Sequence, residues 1–231
     1  MDQPLDNYHP REIASKLNAE IRALPVRNTP NVRAIRRKYS RMLKRTSPEF
    51  MFELARILFQ EYGHRWVAYE LLRGHRMVFK RIGEAELEEF GQGIDSWWTV
   101  DAFARTLSGP AWLKGQVSDE LIRRWAHSED LWWRRVALVS TVALNIRSHG
   151  GKGDVERTLG ICRLLVADYE DMVVKAISWA LRELVVHDAV AVDEFLIEYA
   201  GVLAARVQRE VRNKLATGLK NPRRKRRHQS H

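Results

Sequence analysis

Three short segments hold the side chains able to do chemistry. In Asp95-Ser96-Trp97-Trp98-Thr99-Val100-Asp101, Trp97 and Asp101 are four residues apart. On a helix that spacing puts an indole beside a carboxylate, an arrangement able to favour a developing positive charge. The same spacing also describes a packed Trp next to a solvated or capping acid, and spacing alone does not choose between the two. In Leu131-Trp132-Trp133-Arg134-Arg135, two indoles precede two guanidinium groups. Guanidinium forks hold phosphates bidentately, while the bland alternative is an aromatic core with arginines reaching past it to water. In Lys175-Ala176-Ile177-Ser178-Trp179-Ala180-Leu181-Arg182-Glu183, Trp179 and Arg182 are three apart and share a helix face.

Other chemistries find little support. His64, His75, His127, His149 and His187 supply neither an i, i+4 pair nor an HExxH motif, so no metal site is expected. No GxSxG nucleophile turn occurs. His149-Gly150-Gly151-Lys152-Gly153 has the glycines of a phosphate loop but not the GxxxxGK[ST] spacing, and it reads as an exposed helix-helix loop. The lone Cys162 rules out an internal disulfide and reads as a buried small hydrophobe of an intracellular chain.

The elements that must position these residues are helices. Gly 13 and Pro 7 in 231 residues fall below the roughly 12% of average usage, which disfavours a turn-rich β fold. Ser, Thr, Asp or Asn followed by Pro or an acid recurs before apolar residues at helical spacing. Thr29-Pro30 opens one helix, carrying Ile35, Tyr39, Met42 and Leu43 on its apolar face and six bases on the others. Ser47-Pro48 opens a second, and His64 to Ile82 reads as a third. Later helices are expected near Glu84–Gly91, Trp97–Leu107, Asp119–His127, Leu131–Arg147, Val155–Ala167, Met172–Val186, Val192–Leu203 and Ala205–Leu219. Asp130-Leu-Trp-Trp-Arg-Arg-Val matches Asp171-Met-Val-Val-Lys-Ala-Ile in its pattern of acid, apolar triplet and base, 41 residues on. A period of roughly 40–47 residues belongs to stacked helix pairs, so the expected fold is all-α, a short α-solenoid of HEAT-like pairs with a concave groove.

The charge of +10 narrows the class of partners, but removing the six bases of the C-terminal segment leaves a mildly basic +4, and that segment reads equally as a solubilising end or as a nonspecific polyanion-binding arm. Six bases lie in Lys220–Arg227, which follows the repeat domain expected over residues 1–219 and reads as a basic, disordered tail over 220–231. No apolar run of the length a membrane span needs occurs, and the first residues do not read as a signal peptide. A cytoplasmic, nucleoid-associated monomer is expected.

The three segments, in this order, resemble the AlkD-like DNA alkylation repair glycosylases, which are built from HEAT-like repeats. The family's W-x-x-[VC]-D is similar to Trp97-Trp98-Thr99-Val100-Asp101, its W-x-x-R to Trp132-Trp133-Arg134-Arg135, and its [QV]-K-A-I-[GS]-W-x-L-R-E to Val174 through Glu183. A fainter T-P-x-x-R matches Thr29-Pro30-Asn31-Val32-Arg33, so the resemblance runs from about Ala19 to Leu219. It implies hydrolysis of the N-glycosidic bond of cationic N3- or N7-alkylpurines in duplex DNA, with the base left stacked and no cofactor. It further implies Asp101 as the catalytic carboxylate, Trp97 and Trp179 packed on the deoxyribose, and Arg135 on a neighbouring phosphate. Thr29, Arg33 and Arg182 would contact the backbone. Trp98 stands where many relatives have an acid, and Leu17 roughly where some present an aromatic, which bears on lesion range. The competing readings are a catalytically silent HEAT-like DNA-binding protein and a protein-binding solenoid scaffold.

Overall fold

The computed structural model describes residues 9–222, and among them every regular element is a helix. The tail beyond Pro222 lies outside the described residues. Two compact units divide the chain after Val117.

In the first unit, α1 (Pro10–Arg22) packs on α2 (Thr29–Met42), and α3 (Pro48–Gln60) on α4 (Arg65–Gly74). The short α5 (Arg76–Phe79), then α6 (Glu84–Gly91), α7 (Trp97–Phe103) and α8 (Gly109–Leu113) complete it. α1 packs on α3, while α2 packs on α4 and α4 on α7, which makes two rows of helices. The pairing follows from sequence: Ile13, Leu17 and Ile21 put one apolar stripe on α1, and Met51, Leu54, Ala55 and Leu58 put another on α3. Each such aliphatic side chain removed from water contributes about 1.5–3 kcal/mol.

The second unit repeats the plan more regularly, with α9 (Asp119–Ala126), α10 (Leu131–Asn145), α11 (Val155–Leu164), α12 (Asp171–Leu184), α13 (Ala189–Glu198) and α14 (Ala205–Thr217). α9 packs on α11, and α10, α12 and α14 stack in a second row. α10 is buried on every side from Arg135 to Asn145. Its polar groups are consumed internally: Ser140 Oγ donates to Val136 O at 2.7 Å, and Asn145 Nδ2 to Thr158 Oγ1 at 2.9 Å. Both copies of the 41-residue pattern open helices of this row, Asp130 as the cap of α10 and Asp171 as the first residue of α12.

Three expectations change. The helix read from His64 to Ile82 breaks at Gly74, because His75 Nδ1 accepts the Val78 N–H at 3.3 Å and starts α5. The helix read as Trp97–Leu107 runs on through a π-helical turn, Ala104–Ser108, into α8. Pro110 explains that turn, since it has no N–H to give and its ring crowds the carbonyl four residues back. The His149–Gly153 segment is a helix-helix loop, yet Gly151 is buried on the end of α10, where its N–H meets Ile146 O at 3.0 Å.

Candidate nucleic-acid interface

Every residue proposed for catalysis or DNA contact lies on the row made by α2, α4 and α7 in the first unit or by α10, α12 and α14 in the second.

α7 presents the tryptophan and the carboxylate. Its cap is a reciprocal Ser96–Thr99 box, in which the Ser96 N–H reaches Thr99 Oγ1 at 3.2 Å. Val100, Phe103, Ala104 and Leu107 turn inward, and the Phe103 ring meets the edge of Tyr69 on α4 at 5.5 Å. Tyr69 is itself fixed by donating its hydroxyl to Phe90 O at 2.7 Å. Burial pushes its phenol pKa up to about 12. With that face committed, Trp97 remains 56% exposed and Trp98 51%, and half-buried Asp101 follows one turn after Trp97. Two large indoles left in water side by side are costly for a folded chain and mark a contact surface. The π turn begins three residues after Asp101.

Arg33 and Thr29 sit on α2. The cap there is Asn28, whose Oδ1 accepts the Asn31 N–H at 2.9 Å, so the exposed Thr29 hydroxyl is not used by the helix end. Arg33 is engaged with its own unit. Its Nε donates to Glu70 Oε1 at 3.1 Å, and its guanidinium lies 5.2 Å from the Trp66 ring centre. Arg36 donates to the other Glu70 oxygen at 2.8 Å, and the Trp66 indole N–H donates to Oε1 at 3.0 Å.

In the second unit Arg135 is 5% exposed, and its Nη1 donates to Met172 O, in the first turn of α12, at 2.6 Å. It ties α10 to α12. Arg134 closes the inter-helix turn, donating to Asp168 Oδ2 at 2.7 Å and to Glu129 O at 2.7 Å. Trp133 packs on Trp125 with ring centres 4.9 Å apart. Trp132, the indole of the W-x-x-R motif, is half-buried. On α12, half-buried Trp179 donates its indole N–H to Glu183 Oε1 at 3.0 Å. Arg182 Nε donates to Ser178 Oγ at 3.2 Å, and Ser178 Oγ donates to Glu210 Oε2 of α14 at 2.6 Å. Desolvation lowers the Arg182 pKa, and Glu210 and Glu183 oppose that shift. Glu210 is 7% exposed and meets Lys220 Nζ at 3.3 Å. Burial alone would raise its pKa, but hydrogen bonds from Ser178 and Lys220 outweigh it and leave the carboxyl below its usual range.

The first unit thus brings Trp97 and Asp101 onto one helix turn and Arg33 into a cluster around Glu70, and the second brings Arg135, Trp179 and Arg182 onto adjoining helices. Sequence reading missed Trp66, Glu70, Glu183 and Glu210. The signal for the first three was present, since Trp66 to Glu70 and Trp179 to Glu183 are both W-x-x-x-E, an i, i+4 pair in helical register. Among the described residues no cluster of three or more His, Cys, Asp or Glu could hold a metal ion, and no helix is long and apolar enough to cross a membrane.

Residues 12–215 match the family model described as DNA alkylation repair enzyme. No curated protein matches the chain.

Proposed function

The chain belongs to the DNA alkylation repair enzymes, and from that premise we propose that it is a monofunctional glycosylase releasing cationic N3- and N7-alkylpurines from duplex DNA. The observation that carries the proposal is the exposed Trp97 with Asp101 one turn on, in a chain of a DNA alkylation repair family.

A cationic alkylpurine departs as a neutral base, so no general acid is needed. As the C1′–N bond breaks, its electron pair goes to the purine, and the sugar takes on oxocarbenium character. Asp101 would stabilise that charge and orient the water whose oxygen bonds to C1′, the water's proton passing to the carboxylate or to solvent. Indole faces of Trp97 and Trp179 against the sugar would add attraction that grows with its positive charge. Arg135 and Arg182 would meet phosphates beside the lesion, and Thr29 and Arg33 the backbone further along. Reading the backbone in this way leaves the lesion stacked, without the extrusion other base-modifying enzymes use. The proposal takes residues 1–219 as one DNA-binding domain of a cytoplasmic, nucleoid-associated monomer and involves no cofactor.

The test is single-turnover release of free base from a duplex carrying one N7-methylguanine. Wild type should release it, and Asp101→Asn should lose at least about a hundredfold in rate, the scale of removing one transition-state electrostatic group, while keeping duplex affinity. No release by wild type, with N3-methyladenine DNA also untouched and binding intact, would assign the silent DNA-binding role instead.

A further inference from the structure

Several basic side chains of the first unit have an acid opposite them: Arg36 meets Glu70, Lys38 Glu20 and Arg56 Glu89. Four others converge on one space. Arg73 near the end of α4, Arg76 at the start of α5, Lys80 just after it and Lys114 just after α8 line a cavity of about 560 Å³ together with Phe79 and Gln116. No carboxylate lines it. Among the described residues none of these four cations has an ion pair or a side-chain hydrogen bond.

The cavity is built, not incidental. Gln116 Nε2 donates to Phe79 O at 2.6 Å and to Ile82 O at 2.9 Å, so both amide protons lock one wall to another. The half-buried Arg73 guanidinium lies 4.1 Å from the Phe79 ring centre, a cation–π contact that restrains it beside the cavity and uses none of its N–H donors. Four like charges converging on one space repel each other unless an anion joins them. Burial without a counter-ion already lowers the Arg73 pKa. Two planar forks and two ammonium groups suit a tetrahedral oxyanion carrying several acceptor oxygens.

We propose that Arg73, Arg76, Lys80 and Lys114 form a phosphate-binding pocket, separate from the residues assigned to the lesion. The phosphate belongs either to the duplex backbone, in which case the pocket extends the proposed DNA interface, or to a free phosphorylated molecule. Only the first source rests on the glycosylase reading.

The experiment uses the full chain and the variant Lys80→Gln/Lys114→Gln, whose two positions are exposed and leave the fold intact, with Arg73→Gln as a second variant. Calorimetric titration with pyrophosphate should show one site on wild type, weakened at least about tenfold in each variant. Affinity for a lesion-free duplex is then followed across a salt series. A backbone phosphate in the pocket predicts a log-log slope smaller by about 0.9 in the variants. Loss of pyrophosphate binding with an unchanged slope assigns the pocket to a free phosphate. A smaller slope without pyrophosphate binding assigns it to DNA. Wild type and variants alike in both measurements overturn the proposal. Base release from N7-methylguanine DNA, read on the same preparations, fails or succeeds independently of these results.

Discussion

Replacing Glu210 by Gln keeps the shape of the side chain and removes its charge from the middle of a buried chain of donors. In wild type the carboxylate accepts from Ser178 Oγ at 2.6 Å and faces Lys220 Nζ at 3.3 Å, while Ser178 in turn accepts from Arg182. A hydrogen bond to a charged group is worth about 1.5–3 kcal/mol, and Gln can retain a neutral bond to Ser178 worth about 1 kcal/mol. The half-exposed Lys220 adds little more than a surface ion pair would. The expected loss is therefore about 1–2 kcal/mol at pH 7, or a Tm lower by roughly 2–8 °C for a chain of this size. The loss is also pH-dependent with a fixed sign. The folded carboxyl titrates below its usual range, so the stability it contributes is present above the unfolded value and disappears as pH falls through the folded one. Once Glu210 is protonated, wild type and Glu210→Gln carry the same charge and their curves should meet. Urea unfolding of both proteins between pH 3 and pH 7 measures this. A difference under about 0.5 kcal/mol at pH 7, or one that persists undiminished at the acid end, would refute the reasoning.

Three further outcomes follow from single residues. At Gly153, φ is +88° and an added Cβ would stand 2.5 Å from His187 Cβ, so Gly153→Ala should cost about 3 kcal/mol by strain and overpacking together. Gly150→Ala, at φ +87° with nothing within 4 Å, should cost only the strain, about 1–2 kcal/mol, and chemical denaturation of the two variants separates the contributions. Burial pushes the Cys162 thiol up to about 12, so iodoacetamide at pH 8 should label it only at the rate of unfolding; mass spectrometry showing prompt labelling of the native protein would contradict that placement. Burial lowers the His64 pKa beneath 6.5, so below that pH the unfolded chain binds more protons and stability falls; His64→Gln, which can keep a bond to Asn18, should flatten the Tm profile there.

What could be read from the sequence was local. Ser47, Ser118, Asp130 and Asp154 all cap the helices they precede, because a cap is settled by a side chain and an N–H two or three residues away. The helix expected over Val192–Leu203 instead runs over Ala189–Glu198, started by the Asp188 cap. α1 was not delimited, since its cap is His9, outside the usual set, although Pro10 at its start and Ile13, Leu17 and Ile21 carry the pattern. The break at His75 escaped notice for the same reason. Site residues were legible as motif positions, but their partners were not: Arg33 meets Glu70 across 37 residues and Ser178 meets Glu210 across 32. Nothing in the local order of residues encodes such distant pairings. They depend on which helices stack, and stacking follows from burial of whole faces.

Carboxylates inside the proposed DNA interface need a physical reason, because each would oppose the phosphates brought to it. Glu70 and Glu183 give the same answer in separate units. Each accepts an indole N–H at 3.0 Å from a tryptophan one turn earlier, and each carries that bond on a helix of the row holding the candidate residues. An indole anchored at its only donor cannot swing about its χ angles, so the orientation of its π face is set before any ligand arrives. In α12 the anchored ring is Trp179, read as packing on the sugar, and a fixed face spares the ordering cost that binding would otherwise impose. In α4 the anchored ring is Trp66, and its face supports Arg33 while Glu70 holds the guanidinium from the side. The local loss of positive potential is the cost of both devices. The four unpaired cations on Arg73, Arg76, Lys80 and Lys114 in the same unit as Glu70 restore it. Rigid aromatic faces and long-range attraction are thereby supplied by different residues, and mutating one set should leave the contribution of the other intact.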